Sequence, residues 1–272
     1  MQRRHQSKRR EAHRPPGFLR RKAESGERLI PIAGRRPVEE LLRQGVVPEK
    51  LLVAHRERRG KPDELTQRLQ AAGWKTETRE QRELDEASGG LHHQGFVALI
   101  SEFPYWSLHD LVRAVESRSA QPVLIALDQI QDAGNLGAIL RTAECAGAMG
   151  AIIPHHRAAG ITAAVIRASA GAALHLPLCR VVNLSGALDG LRETGFGVVG
   201  ADPEGQRTLY EVTLTGKLVI VIGSEGRGLR PGIQRRCDAL ARIPLYGRVG
   251  SLNASVAAAL FLYEAARQRL SR

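Results

Sequence analysis

The chain has 272 residues, enough for two ordinary domains, and 43% of them are hydrophobic, which is sufficient for a buried core. The formal net charge of +12 predicts an anionic partner; a polyphosphate backbone is the usual candidate, and a membrane surface is the rival. Only 4% of the residues are aromatic, which disfavours the class of proteins that bind single-stranded nucleic acid by stacking its bases on aromatic side chains. The longest nearly continuous apolar run, residues 254–263, is far shorter than the roughly 20 residues needed to span a bilayer.

The first 28 residues carry ten Lys or Arg against three Glu, a local charge of +7. Their apolar content is too low to offset the entropy of ordering, so we predict a disordered basic tail that contacts RNA phosphates. A solvated solubility tail is the alternative. No apolar stretch of signal-peptide type precedes Leu29, which predicts a cytoplasmic protein. Cys145, Cys179 and Cys237 lie far apart without metal-ligand spacing, so we expect neither a disulfide framework nor a metal site.

Residues 29–101 alternate between short helical and extended patterns. The spacing predicts helices at 37–43 and 63–72 and strands at 50–54 and 95–100, which together indicate a compact α/β domain. Residues 102–120 are helix-friendly but contain Pro104 and a polar end at 117–120, so we interpret them as a linker.

The third region, residues 121–272, begins with an apolar run at 122–127 that is typical of a strand buried on both faces. A helix is predicted at 136–148. Further strands are predicted at 151–153, 197–200 and 217–223, and they alternate with helices at 163–172 and 184–194. This alternation is typical of a parallel sheet.

The first of three polar segments in this region, Asp128–Ala143, follows the buried strand and reads DQIQDAGNLGAILRTA. Asn135 stands where a helix N-cap is expected, and the backbone N–H groups at such an end favour an anion or another ligand. Arg141 lies six residues later on a different face of the helix. A capped helix with a salt-bridged Arg remains the alternative.

The second segment, Ile222–Leu229, follows another strong strand and reads IGSEGRGL. Its glycines are spaced GxxGxG rather than the GxGxxG of a dinucleotide site, and no Walker lysine accompanies them, which disfavours a nicotinamide cofactor and ATP. Glu225 in this loop is a candidate to bind a substrate or a partner subunit, although an isolated acidic loop residue is more often simply solvated.

The third segment, Ile243–Val256, reads IPLYGRVGSLNASV, with Pro244 predicted to end a short strand. We predict that Ser251 opens a helix whose residues 256–263 are apolar on every side, as in a buried or interface helix. Ser251 and Asn253 have a second interpretation as capping residues only.

The three segments, in this order, resemble the signature motifs of the SpoU branch of the SPOUT RNA methyltransferases, over about residues 121–272. Residues 168–172 and 176–178 also look like this family. Residues 34–42 and 93–98 are similar to the L30e-like substrate-binding domain of members that act on large-subunit rRNA. Arg35 and Arg36 depart from the less basic pair common there.

The resemblance implies a knotted parallel-sheet α/β domain preceded by a small L30e-like α/β domain, and a homodimer that uses S-adenosylmethionine without a metal. The implied reaction is methylation of the 2′-hydroxyl of a guanosine in large-subunit rRNA. The alternatives are a tRNA substrate or a non-catalytic RNA-binding or ribosome-assembly factor. Matches to the catalytic set are Asn135, Arg141, Glu225, Ser251 and Asn253. Matches to the cofactor cradle are Gly200, Ala201, Gly223, Ile243 and Leu252. Because arginine is normally protonated, we favour phosphate positioning over a base role for Arg141.

Overall fold

The computed structural model describes residues 29–55 and 63–270, and the chain divides into two compact units between Glu102 and Phe103. The basic tail predicted at residues 1–28 lies outside the described residues. Within the described ranges, no helix combines the length and hydropathy that a membrane crossing would require.

The first unit is a small α/β domain built on a four-stranded sheet in the order β1-β4-β2-β3. Strand β4 is antiparallel to both β1 and β2, whereas β2 and β3 are parallel. The predicted α/β class of this unit is confirmed, while its likeness to L30e stays a prediction. Its elements are β1 (Ile30–Ala33), α1 (Arg35–Arg43), β2 (Lys50–Ala54), α2 (Glu64–Ala71), β3 (Thr76–Arg79), α3 (Gln81–Ser88) and β4 (Phe96–Ile100).

Arg35, one of the two basic residues that depart from the family pattern, has a structural role in this unit. Its Nη1 donates to both carboxylate oxygens of Asp63 at 2.9 Å, and its guanidinium lies 5.7 Å from the centre of the Phe96 ring. Asp63 is the N-cap of α2 and accepts from the backbone N–H of Leu65. Arg35 therefore joins α1 to the start of α2.

The second unit contains a seven-stranded sheet in the order β7-β6-β5-β10-β8-β11-β9. Every strand pair in it is parallel, which confirms the predicted sheet type. The knot implied by the resemblance stays a prediction. The elements are α4 (Leu108–Glu116), β5 (Val123–Asp128), α5 (Ala133–Cys145), β6 (Gly150–Pro154), α6 (Ala163–Ala168), a 3-10 turn (Ala172–Leu174), β7 (Leu178–Val181), α7 (Leu184–Glu193), β8 (Gly197–Ala201), β9 (Arg207–Thr208), β10 (Leu218–Gly223), α8 (Pro231–Gln234), β11 (Ala239–Arg242) and α9 (Ala254–Leu270).

The chain adds successive strands to one side of β5 first and then to the other side, so the strand order reverses between β5 and β10. After β5 the chain adds β6 and then β7 on one side, while β8, β9, β10 and β11 all lie on the other. All six residues of β10 are buried, as are five of the six in β5. In open parallel sheets, ligands bind at the carboxyl ends of the strands where this reversal occurs. The loops after β5 and β10 are therefore the expected place for a site.

The predicted linker at residues 102–120 differs from the structure, because it contains α4. Leu111 and Val115 of this helix are buried in one hydrophobic cluster with Leu124 of β5. Trp106, just before α4, forms a parallel bridge to Cys179 of β7. Leu108 and Val112 of the same helix also pack against this cluster. The segment from Phe103 therefore belongs to the second unit.

Three predicted helix boundaries in the second unit are wrong. Helix α5 begins at Ala133, because Asp132 is its N-cap and accepts from the backbone N–H of Asn135 at 2.7 Å. Helix α6 ends at Ala168 instead of residue 172, since Ala170 has a φ of 50° that breaks the helix. Helix α9 begins at Ala254, so Ser251 does not open it.

Candidate active site

Three of the predicted catalytic residues meet in one hydrogen-bond network, although they come from three separate segments. Asn135 is in the first turn of α5, Glu225 is in the turn after β10, and Asn253 immediately precedes α9. The Asn253 Nδ2 donates to Asn135 Oδ1 at 2.8 Å and to Glu225 Oε1 at 2.5 Å. Asn135 Nδ2 donates to the same Glu225 oxygen at 3.1 Å. The network closes a triangle across the carboxyl edge of the sheet.

Glu225 acts in this network as an acceptor. Its Oε1 receives a third hydrogen bond from the backbone N–H of Ala254 at 3.3 Å, so three donors face one oxygen. Asn253 is fixed in turn because its Oδ1 accepts from the backbone N–H and the hydroxyl of Ser255 at 2.8 and 2.6 Å. These contacts hold the carboxylate in one position between three segments of the chain. The arrangement therefore suits Glu225 to orienting its neighbours.

Arg141 and Ser251, the other two residues of the predicted catalytic set, lie outside this network. Both are exposed, and within the described residues the side chain of Arg141 has no hydrogen-bond partner or ion pair. Arg141 is therefore free to bind an added anion, and the alternative of a salt-bridged Arg is wrong for the described residues. Ser251 lies on the wall of the neighbouring cavity.

A cavity of about 510 Å³ opens at the carboxyl ends of β8, β10 and β11. Its volume falls within the roughly 300–1,000 Å³ typical of small-molecule sites. Four of the five residues predicted to hold the cofactor line it, namely Ala201, Gly223, Ile243 and Leu252. The lining also includes the apolar side chains of Ile222 and Phe261. Three carboxylates line it as well, those of Asp202, Glu204 and Glu225. A cavity with apolar walls and several carboxylates suits a cationic ligand that also has an apolar part.

Gly200, the fifth residue of that set, does not line this cavity. A Cβ at Gly200 would lie 2.6 Å from Leu229 Cδ1, 2.8 Å from Cys237 Sγ and 2.9 Å from Leu240 Cδ2. The absence of a side chain there allows β8 to pack against the following elements. The assignment of Gly200 to the cofactor cradle is therefore corrected to a packing role.

Gly223 shapes the cavity by letting the next turn fold back onto β10. A Cβ at this position would lie 2.3 Å from the carbonyl carbon and oxygen of Gly228. Ser224 and Gly228 exchange two backbone hydrogen bonds of 3.2 and 3.0 Å across the turn, and Gly226 and Gly228 both have positive φ. The Ser224 hydroxyl is buried without a hydrogen-bond partner in the described structure. This buried polar atom and the tight backbone fit the binding of S-adenosylmethionine.

A second cavity, of about 580 Å³, lies beside the first and shares four wall residues with it: Ser224, Glu225, Arg227 and Ala254. Asn135 and Asp132 line this second cavity, together with Gln129 and Arg157. Gln129, Arg157 and Arg227 were not among the predicted site residues. Gln129 and Arg227 lie inside the quoted motifs, whereas no sequence pattern marks Arg157.

No cluster of three metal-ligating side chains occurs among residues 29–55 and 63–270. The two thiols of Cys179 and Cys237 are shielded from solvent, and burial raises the pKa of each to about 12. A thiol with so high a pKa is protonated at neutral pH and is a poor nucleophile. Cys237, which packs against Gly200, therefore contributes to the hydrophobic core and is not expected to act as a nucleophile.

Comparison with known proteins identifies the family of this chain. Residues 122–263 match the family model of the SpoU rRNA Methylase family, and residues 31–106 match the model for RNA 2'-O ribose methyltransferase substrate binding. The first match covers more than half of the chain. The chain therefore belongs to the SpoU rRNA methylase family.

Individual relatives are similar over much of the chain. An uncharacterized tRNA/rRNA methyltransferase of Synechocystis is 46% identical to this chain. The matched region covers 68% of this chain and 48% of the Synechocystis protein. The 23S rRNA (guanosine-2'-O-)-methyltransferase RlmB of Pseudomonas aeruginosa is 40% identical over 70% of this chain and 77% of its own. The AdoMet-bound rRNA methyltransferase structure from Sinorhizobium meliloti has a TM-score of 0.74 at 26% identity and covers 88% of this chain and 87% of that one. The protein is an S-adenosylmethionine-dependent RNA 2′-O-methyltransferase.

Proposed function

We propose that this protein methylates the ribose 2′-hydroxyl of a guanosine in large-subunit rRNA. The relative from Pseudomonas aeruginosa is named for that reaction and shares 40% of its residues over the matched region. A separate N-terminal unit that matches a substrate-binding model supports a large RNA substrate. The net charge of +12 supports a polyanionic partner.

The observation that carries the proposal is the shared wall between the two cavities. A transfer reaction needs its two reactants in near contact, with the reacting atoms about 3–3.5 Å apart. The turn from Ser224 to Arg227 lines both cavities, and Glu225 in this turn anchors the network with Asn135 and Asn253. We assign the 510 Å³ cavity to the cofactor and the 580 Å³ cavity to the target nucleotide.

The cofactor, when bound, supplies a methyl group activated by its positively charged sulfonium. Asp202, Glu204 and Glu225 place negative charge around the cavity that receives it. Gly223, Ile243 and Leu252, which line this cavity, would hold the cofactor. Glu225, Asn135 and Asn253 are positioning residues that fix the boundary between the two reactants. Arg141 binds a phosphate of the substrate and stabilises charge on it.

We further propose that the protein acts as a cytoplasmic homodimer. Helix α9 buries Phe261 and Leu262 within its own unit but leaves Val256 46% and Tyr263 54% exposed. An apolar strip on a long terminal helix supports a symmetric contact between two copies. We expect a solution mass close to twice 29.7 kDa, and a shift towards the monomer for Tyr263→Arg.

A methyl-transfer assay tests the substrate. Purified protein and S-adenosylmethionine are incubated with unmodified transcripts of Pseudomonas aeruginosa 23S rRNA or of total tRNA, and the digested nucleosides are identified by mass spectrometry. We expect 2′-O-methylguanosine in the rRNA sample only. Methylation confined to tRNA would establish the alternative suggested by the tRNA/rRNA name of the Synechocystis relative. Cofactor binding without methylation of either RNA would favour a non-catalytic factor.

A further inference from the structure

The cavity assigned to the nucleotide contains two non-glycine residues with left-handed backbone. Gln129, after β5, has a φ of 64°, and Arg157, after β6, has a φ of 57°. Such a conformation is unfavourable for a residue with a side chain, and it tends to persist at ligand sites where the surroundings fix it. Two strained residues beside one cavity therefore point to a binding role for their side chains.

The surroundings hold the loop of Arg157 in place. The backbone N–H of Ala159 donates to the carbonyl of Ile130 at 2.9 Å, which ties this loop to the one that carries Gln129. Arg180 Nη2 donates to the His155 carbonyl at 3.2 Å, and the Ile161 N–H donates to the Tyr105 hydroxyl at 2.9 Å. The strained turn is therefore fastened on both sides of Arg157.

Among the described residues, two arginines line this cavity, Arg157 and Arg227. In contrast to them, Arg230, three residues after Arg227 and outside the lining, is bound to the buried carboxylate of Asp128 at 2.7 Å. Arg157 and Arg227 are exposed, and within the described residues neither guanidinium has a hydrogen bond or an ion pair. A free guanidinium presents a planar fork of donors that matches phosphate oxygens.

Only one of these two free cations belongs to the nucleotide cavity alone. Arg227 also lines the cofactor cavity, whereas Arg157 does not. A ligand of Arg157 is therefore a part of the RNA and not of the cofactor.

We propose that Arg157 is a positioning residue that binds a backbone phosphate of the RNA at the target nucleotide, which places the ribose beside Asn135 and Glu225. This inference rests on the proposed function. The left-handed turn after β6 places Arg157 at the wall of the nucleotide cavity. Because Arg157 does not line the cofactor cavity, its replacement should affect RNA binding and leave cofactor binding unchanged.

The test compares Arg157→Gln with Arg118→Gln. Arg118 is an exposed arginine between α4 and the start of β5, so it lies at the amino edge of the sheet, away from the site. Binding of the unmodified Pseudomonas aeruginosa 23S rRNA transcript is measured across a salt series, and S-adenosylmethionine affinity is measured by calorimetry. We expect Arg157→Gln to weaken RNA binding and raise the RNA KM about tenfold, and to reduce the salt slope by about one unit, while the cofactor Kd stays unchanged. Arg118→Gln keeps wild-type values.

A second variant separates binding from structure. Arg157→Gly removes both the guanidinium and the backbone strain, so we expect an unchanged or higher Tm together with the same loss of RNA affinity. Wild-type RNA affinity and salt slope in Arg157→Gln would overturn the assignment of Arg157, whether or not the wild type methylates the transcript. Failure of the wild type to methylate any RNA would instead overturn the proposed function.

Discussion

The side chains of Asn253 and Glu225 are joined by a hydrogen bond of 2.5 Å from Nδ2 to Oε1. The bond fastens the start of α9 to the turn after β10, so the third segment cannot shift without moving the second. Because that turn lines both cavities, a shift in its position should change the binding of the cofactor and of the nucleotide together.

Replacing Glu225 tests this coupling. Glu225→Ala leaves three donors without their acceptor, so we expect a loss of about 1 kcal/mol in unfolding free energy, weaker cofactor binding and little turnover. Glu225→Gln retains an acceptor oxygen and should keep most of the stability and cofactor affinity. Calorimetry and urea denaturation distinguish the two variants. Equal cofactor Kd for wild type and Glu225→Ala would show that the network does not shape the cofactor cavity.

Gly223→Ala should damage the cofactor cavity, since its Cβ would lie 2.3 Å from the Gly228 carbonyl. We expect a destabilisation of about 1–3 kcal/mol and a loss of S-adenosylmethionine binding, measured by thermal unfolding and calorimetry. Gly190→Ala is the matched control, because a Cβ in the middle of α7 meets nothing within 4 Å. That change should stabilise the protein by about 0.5–1 kcal/mol and leave cofactor binding intact.

Arg141→Ala should abolish turnover while preserving the fold and the cofactor site. The side chain is exposed and makes no contact that a described residue would lose, so we expect the unfolding free energy to change by less than about 0.5 kcal/mol. The measurements are single-turnover methylation and S-adenosylmethionine affinity. Full turnover by this variant would show that Arg141 is not needed for methyl transfer and does not belong to the catalytic set.

The thiols should differ in reactivity according to their burial. Cys145 is exposed, whereas burial raises the pKa of Cys179 and Cys237 to about 12. At pH 8 we expect iodoacetamide to label Cys145 alone in the native protein and all three thiols in 6 M guanidinium. Labelling of native Cys179 at the rate of Cys145 would contradict the buried environment.

The same pKa values predict how stability changes in alkali. The thiol of the unfolded chain ionises near pH 9, well below the pKa of about 12 in the folded protein. The buried neutral thiol therefore contributes fully below pH 9, and stability falls as the pH rises from 9 towards 12. Urea denaturation at pH 8 and pH 10 should show a smaller decrease for Cys179→Ala than for the wild type.

The basic residues 1–28 should act through charge alone. Deleting them removes ten cationic side chains and three carboxylates, so RNA binding should weaken most at low salt and the salt slope should decrease. Thermal unfolding of the remainder should be unchanged. An identical salt slope for the shortened chain would exclude a contact between this tail and RNA.

The central strands β5 and β10 were predictable from sequence because they are buried on both faces and read as uninterrupted apolar runs, and both lie within one residue of their predicted bounds. Strands β7 and β9 were not predicted, because they are short and only partly buried. In the first unit, β3 reads TETR and none of its four residues is buried, so its pattern carries no signal. Its pairing with β2 fixes it instead.

Some features of the active site were likewise predictable from sequence, and others were not. Glycine spacing indicated the tight turn that carries Glu225, since such turns impose their residue types. The expected roles of Gly223 and Glu225 came from the resemblance to the family. The hydrogen bonds among Asn135, Glu225 and Asn253 were beyond sequence, because they depend on how three loops meet in space. Arg157 was missed for a different reason: its left-handed backbone is imposed by contacts with neighbouring loops, so no local preference reveals it.

Strand β10 lies between β5 and β8, and both of these neighbours are synthesised before it. Until β10 enters, the two halves of the sheet have no edge in common, and Asn253, 118 residues after Asn135, has not yet been made. Pairings this distant in sequence form late in folding. A growing chain on the ribosome therefore has no methyl-transfer centre until Asn253 has been made, and we expect S-adenosylmethionine binding to be acquired only after that point.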